Sequence, residues 1–176
     1  SIVSWNMNLL DKEPVKRVEK FIKNFDESLE VISLKNSART AKDAASALGC
    51  DLGAIVKSLL FKTEDNFILC LVAGDKRCSL SKLKRIKNIK DISMASPEVV
   101  KAQTGYTIGG VSPVGHLNKV EIFIDKSLKR FINLFAAAGH PNCVFKINFM
   151  NIQKITNGKI EDITEWKNQN LLIILC

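Results

Sequence analysis

What the chain has little of narrows the possibilities first. Its 176 residues include two histidines, His116 and His140, and five cysteines, Cys50, Cys70, Cys78, Cys143 and Cys176, with no Cys-x-x-Cys pair. An odd cysteine count without paired spacing argues against a disulfide framework, and two scattered histidines give no zinc-ligand pattern. The expectation is a reduced protein with no metal and no cofactor. No apolar run reaches the roughly 18 residues that a membrane helix needs. The closing stretch Leu171–Cys176 is apolar but short, and is expected to pack as a terminal strand or helix end. Ser1 to Leu10 lack the basic start and long apolar core of a secretory leader. Low-complexity linkers and internal repeats are also missing. A cytoplasmic location with no membrane partner is therefore expected.

Apolar residues make up 46% and charged residues 25%, which suits one globular domain, or one domain with an appendage, able to bury a core without disulfides. Lys and Arg number 26 against 18 Asp and Glu, a net charge of +8. The excess is concentrated. Lys76, Arg77, Lys82, Lys84, Arg85, Lys87 and Lys90 follow one another with no acid between them. Such a stripe suits a polyanionic partner, because each neutralised phosphate releases counterions. A solvated lysine-rich helix face produces the same pattern, and composition leaves both readings open.

Val15, Val18, Phe21, Ile22 and Phe25 recur at helical spacing, so Asp11–Phe25 is predicted to be a helix with Pro14 in its first turn. Glu30–Leu34 reads as a strand. Thr40-Ala-Lys-Asp43 is a capping box for a helix ending at Gly49. Ile55–Lys62 and Phe67–Ala73, separated by Thr63–Asn66, read as a hairpin. Leu80, Leu83, Ile86 and Ile89 form the apolar stripe of a helix that carries the lysines. Ser96 and Pro97 start another helix, which Gly105 stops. Val120–Ile124 reads as a strand and Asp125–Phe131 as a short helix. Ile132–Ala137 and Val144–Phe149 read as strands around the turn Ala138–Asn142, and a last helix starts at Asn151. Strands and helices alternate without a regular βαβ rhythm. The prediction is α/β: a single compact domain with a mixed, barrel-like sheet flanked by helices. Residues 1–29 are assigned to an N-terminal helical extension, 30–160 to the domain and 161–176 to a C-terminal tail packed on it.

Three places are suited to chemistry. In Ile55-Val-Lys-Ser-Leu-Leu-Phe61, strand alternation sets Lys57 on one face with Ile55, Leu59 and Phe61. An ammonium in an apolar row needs an anion, a pocket or an edge position, where it snorkels to water. The second place is Gly109-Gly-Val-Ser-Pro-Val-Gly115, followed by His116. Three glycines and one proline in seven residues permit unusual backbone angles, close ligand approach and exposed N–H groups that bind an anion or oxyanion. A plain connection between strands also fits. Ser112 lacks the second glycine of a nucleophile elbow, and no Gly-Lys-Ser/Thr follows to make a P-loop. The third is Ala136-Ala-Ala-Gly-His-Pro-Asn142, which puts the His140 imidazole at the tip of a tight turn, as a substrate contact or a structural residue. No Ser/His/Asp set, Cys/His set or carboxylate pair emerges.

Five segments then occur in one order: Ser37-Ala-Arg-Thr-Ala-Lys-Asp-Ala-Ala45, Ile55-Val-Lys-Ser-Leu59, Val72-Ala-Gly-Asp-Lys-Arg77, Thr104-Gly-Tyr-Thr-Ile-Gly-Gly-Val-Ser-Pro-Val-Gly-His116 and Ala137-Ala-Gly-His-Pro-Asn-Cys-Val-Phe145. Together they resemble the YbaK/ProX proteins, the aminoacyl-tRNA deacylases associated with prolyl-tRNA synthetase, over roughly residues 30 to 160. The resemblance implies a YbaK-like fold and metal-free hydrolysis of amino acids misattached to tRNA. It implies a key functional lysine at Lys57. It implies an amino-acid pocket shaped by Gly109, Gly110, Val111, Ser112 and Pro113, with Gly115, His116, Gly139 and His140 as further substrate contacts. The Ala-Gly-His-Pro segment is similar to the branch that removes alanine or another small residue rather than cysteine. Mischarged tRNA is the implied substrate, with Lys76, Arg77, Lys82, Lys84, Arg85 and Lys87 as its acceptor-stem contacts, and prolyl-tRNA synthetase is a candidate partner. Two rivals remain: a non-catalytic tRNA-binding module of the same fold, and a small-molecule hydrolase using Ser112 and His116.

Overall fold

The computed structural model describes residues 8–35 and 40–167. Ser37, Ala38 and Arg39 and the Leu171–Cys176 run lie outside the described residues. Helix α1 (Glu13–Phe25) follows a 3-10 turn at Leu9–Asp11, with Pro14 in its first turn. Val15, Val18 and Ile22 give it one fully buried edge, whereas Phe21 and Phe25 flank that edge and stay exposed. Strand β1 (Val31–Ser33) leads to α2 (Ala41–Leu48), whose cap is the Thr40 hydroxyl accepting from Asp43 N. Gly49 ends α2 in the left-handed region, at φ +67°. Next come β2 (Ile55–Thr63), β3 (Phe67–Ala73), β4 (Lys76–Cys78), α3 (Leu80–Lys87), β5 (Ile92–Met94) and α4 (Pro97–Thr104). After the glycine-rich loop follow β6 (Glu121–Asp125), a 3-10 turn (Lys126–Arg130), β7 (Leu134–His140), β8 (Cys143–Ile147), α5 (Phe149–Thr156), β9 (Lys159–Glu161) and β10 (Thr164–Trp166).

The main sheet is mixed and curls into a half-barrel. Its strands run β1-β8-β7-β2-β3-β6-β9, with β5 also on β2, while β10 and β4 pair separately. The β2–β3 pair is an antiparallel hairpin, whereas β2–β7, β3–β6 and β6–β9 are parallel. Strand β3 explains its unbroken apolar sequence, because both of its faces are covered. Leu69, Leu71 and Ala73 face the core shared with α1, and Ile68, Cys70 and Val72 face a second cluster with Leu83 of α3. A third cluster packs Ala44 and Ala45 of α2 on Ile55 and Val144.

The predicted α/β fold with a mixed, barrel-like sheet is the observed one, with three local corrections. Leu80 is 37% exposed, so the buried stripe of α3 is narrower than its spacing suggested. The short helix predicted over Asp125–Phe131 is a 3-10 helix over Lys126–Arg130, capped by the Asp125 carboxylate, which accepts from Ser127 N. Strand β7 continues through Gly139 to His140, past a register shift, so the hairpin turn is shorter than the predicted Ala138–Asn142. Gly139 has φ +88°, and a Cβ there would lie 2.7 Å from the Pro14 backbone, so α1 starts against a residue that must be glycine.

Candidate functional site

Strand β2 positions Lys57. Its Nζ donates to the Lys76 carbonyl at 2.6 Å, and the side chain is half-buried. Burial, and then the neighbouring Lys167 ammonium, lower its pKa to about 8, while Asp75 and Cys78 oppose the shift. Asp75 is itself engaged, accepting two bonds from the Arg130 guanidinium at 2.9 and 2.8 Å, which holds its carboxyl below the ordinary range. Lys57 therefore has main chain, not a carboxylate, as its direct partner.

Among the described residues the β2 edge beside Lys57 is open. Pairing with β7 stops at Val56, and pairing with β5 begins at Phe61. On that side, among the same residues, Leu60 O is taken by Ala95 N at 3.0 Å. A cavity of about 320 Å³ fills the gap. Its walls are mostly apolar: Ala41 and Ala44 of α2, Val100 of α4, and Val111, Ala137 and Val144. Lys57, Ser58 and Thr40 supply its few polar side chains, and the Ser58 hydroxyl is buried without a partner among the described residues. An apolar recess with a few convergent polar groups is the usual form of a small-ligand site.

Of the predicted pocket residues, the structure brings Gly109 and Val111 to this cavity with Lys57. Gly110 lies behind them, packed backbone to backbone on β7, where a Cβ would meet His140 Cα and N at 2.9 Å. Gly139 N donates to Gly110 O at 3.1 Å, which joins the two glycine-bearing segments directly. Ser112, Pro113, Gly115 and His116 do not line the cavity. Ser112 is fully buried, and its hydroxyl accepts from Val114 N. His116 Nε2 bonds the Ser112 carbonyl at 2.7 Å rather than its hydroxyl, and burial lowers the imidazole's pKa. That geometry gives the serine-hydrolase rival neither an exposed nucleophile nor a base beside it. Pro113, Gly115 and His116 border a larger open groove on the side of the Thr63–Asn66 turn. His140 also stays off the cavity lining. Its Nδ1 accepts from Asn142 N at 3.1 Å, and its neighbour Pro141 takes the wall position.

The basic stripe sorts itself by partners. Arg77 pairs with Glu165, Lys82 with Asp162 and Lys87 with Glu121, at 2.8, 2.9 and 2.8 Å. Lys76 lies over the Trp166 ring, 4.2 Å from its centroid. Lys84 and Arg85 have no carboxylate within ion-pair distance among the described residues. The acids that pair with Arg77, Lys82 and Lys87 come from parts of the chain distant in sequence, so the local excess is matched in part. Ala41, Ala44, Ile108, Pro141 and Asp75 lie in the five ordered segments but were not singled out as site residues, and Met94, Ala95, Val100 and Lys167 lie outside those segments. No spacing signal marks them, since tertiary packing alone brings them to β2.

Comparison with known proteins gives this geometry a context. Residues 35–155 match the aminoacyl-tRNA editing domain. The YwhH protein of Bacillus subtilis, of uncharacterised function, is 33% identical over 147 residues, covering 83% of this chain and 93% of that protein. The proline–tRNA ligase of Bacillus velezensis is 34% identical over 116 residues, which is 66% of this chain but only 20% of the ligase. Among solved structures, a candidate trans-editing enzyme for prolyl tRNA synthetase superposes with a TM-score of 0.83 at 35% identity, covering 88% of this chain and 98% of that one. The described residues contain no helix long and apolar enough to cross a membrane. By the matched span and by these relatives, the chain belongs to the aminoacyl-tRNA editing domain family.

Proposed function

We propose that this protein is a trans-editing deacylase that hydrolyses the ester between a small amino acid, alanine first, and the terminal ribose of a mischarged tRNA. The observation that carries the reading is the placing of Lys57 and the Gly109–Val111 stretch on one small apolar cavity in a chain of the editing family. The cavity wall is mostly aliphatic, which suits an apolar side chain better than a charged one. Steric selection in a pocket discriminates by about 1–3 kcal/mol per methylene, so more than one small amino acid is expected to be accepted.

Ester hydrolysis needs an oriented water and stabilisation of the oxyanion that develops on the carbonyl. Among the described residues the cavity shows no exposed side-chain nucleophile with a base beside it. The free ribose hydroxyl of the substrate therefore positions or activates the water. Lys57 holds the phosphate or ester end by charge, and N–H groups of the Gly109–Pro113 loop meet the carbonyl oxygen. Gly115, His116, Gly139 and His140 support this loop from behind. Loss of one oxyanion donor typically costs about 3 kcal/mol, roughly a hundredfold in rate. The acceptor stem reaches the basic side of the molecule, where Lys84 and Arg85 lead and Lys76, Arg77, Lys82 and Lys87 contribute as their acidic partners yield. The reaction takes place in the cytoplasm, and prolyl-tRNA synthetase, whose product it corrects, is the proposed partner.

A panel of tRNAs charged with alanine, serine, cysteine and proline tests this reading. Fast release of alanine, with proline spared, is the expected pattern. Protein that binds tRNA but releases no amino acid from any member of the panel is a binding module, not an editing enzyme.

A further inference from the structure

We propose that strand β10 and the turn before β4 form a recess for the phosphate and nucleobase of an RNA 3′ end, built by Lys57, Lys167, Lys76 and Trp166. The identity of the occupant rests on the editing reading. Trp166 and Lys167 lie beyond the residues 35–155 that match the family, so the recess adds to what that match covers.

The fold holds this segment firmly against Lys57. Strand β10 pairs antiparallel with β4, with Trp166 opposite Lys76. Thr164 Oγ1 donates to the buried Asp125 carboxylate at 3.1 Å, and the other oxygen of that carboxylate accepts from Ala73 N at 3.0 Å. Lys82 Nζ donates to Thr164 O at 2.7 Å. Strands β3, β6 and β10 thus meet at one buried acid, directly before the Gly74–Asp75 turn.

At that turn two ammonium groups share one short length of main chain. Lys167 Nζ donates to Gly74 O at 2.8 Å, and Lys57 Nζ to Lys76 O at 2.6 Å. Each ammonium carries three donors, of which these carbonyls use one. Two like charges this close oppose each other's protonation, and Lys167 is among the causes that lower the Lys57 pKa. The nearest acid, Asp75, is occupied by Arg130. Arg77 and Lys82 are matched by Glu165 and Asp162, so among the described residues the ammonium groups here without an ion pair are those of Lys57, Lys76 and Lys167. A bridging anion relieves their repulsion.

The anion's chemistry is indicated by the aromatic ring beside it. Trp166 is 47% exposed, with Lys76 Nζ at 4.2 Å and Arg130 Cζ at 5.3 Å from its ring centroid. Exposed aromatics among cations are how proteins hold single-stranded nucleic acid, with bases on rings and phosphates on ammonium groups. Lys57 belongs both to this recess and to the acyl cavity. An occupant spanning the two carries a phosphate close to an aminoacyl ester, as the 3′-terminal nucleotide of a charged tRNA does.

The test uses an uncharged RNA minihelix ending in CCA that carries a 5′ fluorescent label, whose anisotropy reads the affinity of every variant, with Trp166 fluorescence in a Trp5→Phe background as a second reporter for the variants that keep Trp166, since the chain has two tryptophans. Saturable quenching is expected. Trp166→Ala and Lys167→Ala should each weaken binding about tenfold, and Lys167→Ala should lower the salt slope by about one. Trp166→Phe and Lys167→Arg, which keep a ring and a charge, should restore most of the affinity. Removal of the terminal adenosine should cost as much as Trp166→Ala. With mischarged tRNA the loss should fall on KM rather than kcat. The recess is overturned if both alanine variants bind the minihelix like the parent with the same salt slope, or if the RNA binds without quenching Trp166. Wild-type protein that shows this quenching but hydrolyses no mischarged tRNA overturns the editing reading and leaves the recess. Hydrolysis with KM unchanged in both alanine variants does the reverse.

Discussion

Gly109 and Val111 reach the cavity that Lys57 lines, whereas Ser112, Pro113, Gly115 and His116, a few residues further along the same loop, do not. The second half is a clamp. The Tyr106 hydroxyl donates to Val114 O at 2.7 Å and Gly115 O at 3.0 Å, and Arg17 Nε donates to Gly115 O at 2.8 Å while its guanidinium stacks on Tyr106. Helix α1 thereby holds the loop from behind. One continuous motif thus contains groups placed to touch a ligand and groups placed to keep the first kind still. Residue type alone does not separate them: the exposed Gly109 and the buried Gly110 are adjacent and identical.

Substitutions break this comparison in graded ways. Ala137→Phe puts a ring into the cavity without touching the clamp. Deacylation should fall by more than about a hundredfold, with the melting temperature little changed, because several methylene-equivalents of space are lost. Retained activity would place the acyl group elsewhere. Alkaline pH acts on the cavity side next. Lys57 has a pKa of about 8, so if its charge is what counts, kcat/KM should fall about tenfold per pH unit above that value, after subtraction of hydroxide-driven hydrolysis. Stability should move the other way. Between about 8 and the ordinary 10.5 the unfolded chain holds more protons at this lysine, so its contribution favours folding increasingly as pH rises. Burial sets most of the shift, and Lys167, Asp75 and Cys78 are the neighbours that adjust it. On the clamp side, Tyr106→Phe removes a buried hydroxyl that donates to two carbonyls. Chemical denaturation should show a loss of about 1–2 kcal/mol, with a smaller loss of activity. Ser112→Ala should have the smallest effect, leaving deacylation within about twofold and costing at most about 1 kcal/mol, since the hydroxyl makes one long bond to Val114 N. A large loss of rate there would revive the serine nucleophile.

How much of this was legible in the sequence follows from where the information lies. The β2–β3 hairpin was readable because Thr63–Asn66 is a polar break between two apolar runs, and α4 because Ser96, Pro97 and Gly105 mark both of its ends. The three-residue strands β4, β5, β9 and β10 were not foreseen, because they exist only as partners of other strands. Lys57 was legible as a charge out of place in an apolar row, but the Lys76 carbonyl that holds it was not. The partners of three cations of the lysine stripe were not legible, since Glu121, Asp162 and Glu165 reach Lys87, Lys82 and Arg77 from 34 or more residues away in sequence (Glu121 less Lys87 is 34). The His140 imidazole was expected at a turn tip, as a substrate contact or a structural residue. The bulge in β7 makes it the last paired residue of the strand, opposite Cys143.

The central claim is that the Lys57 ammonium acts on a ligand in the cavity behind it. Release of alanine from mischarged tRNA by Lys57→Ala, measured beside the parent protein at neutral pH with equal folded fractions by circular dichroism, tests it most directly. The account predicts a fall of about a hundredfold or more at unchanged fold. Alanine release at the parental rate would contradict it and leave the cavity without its active group.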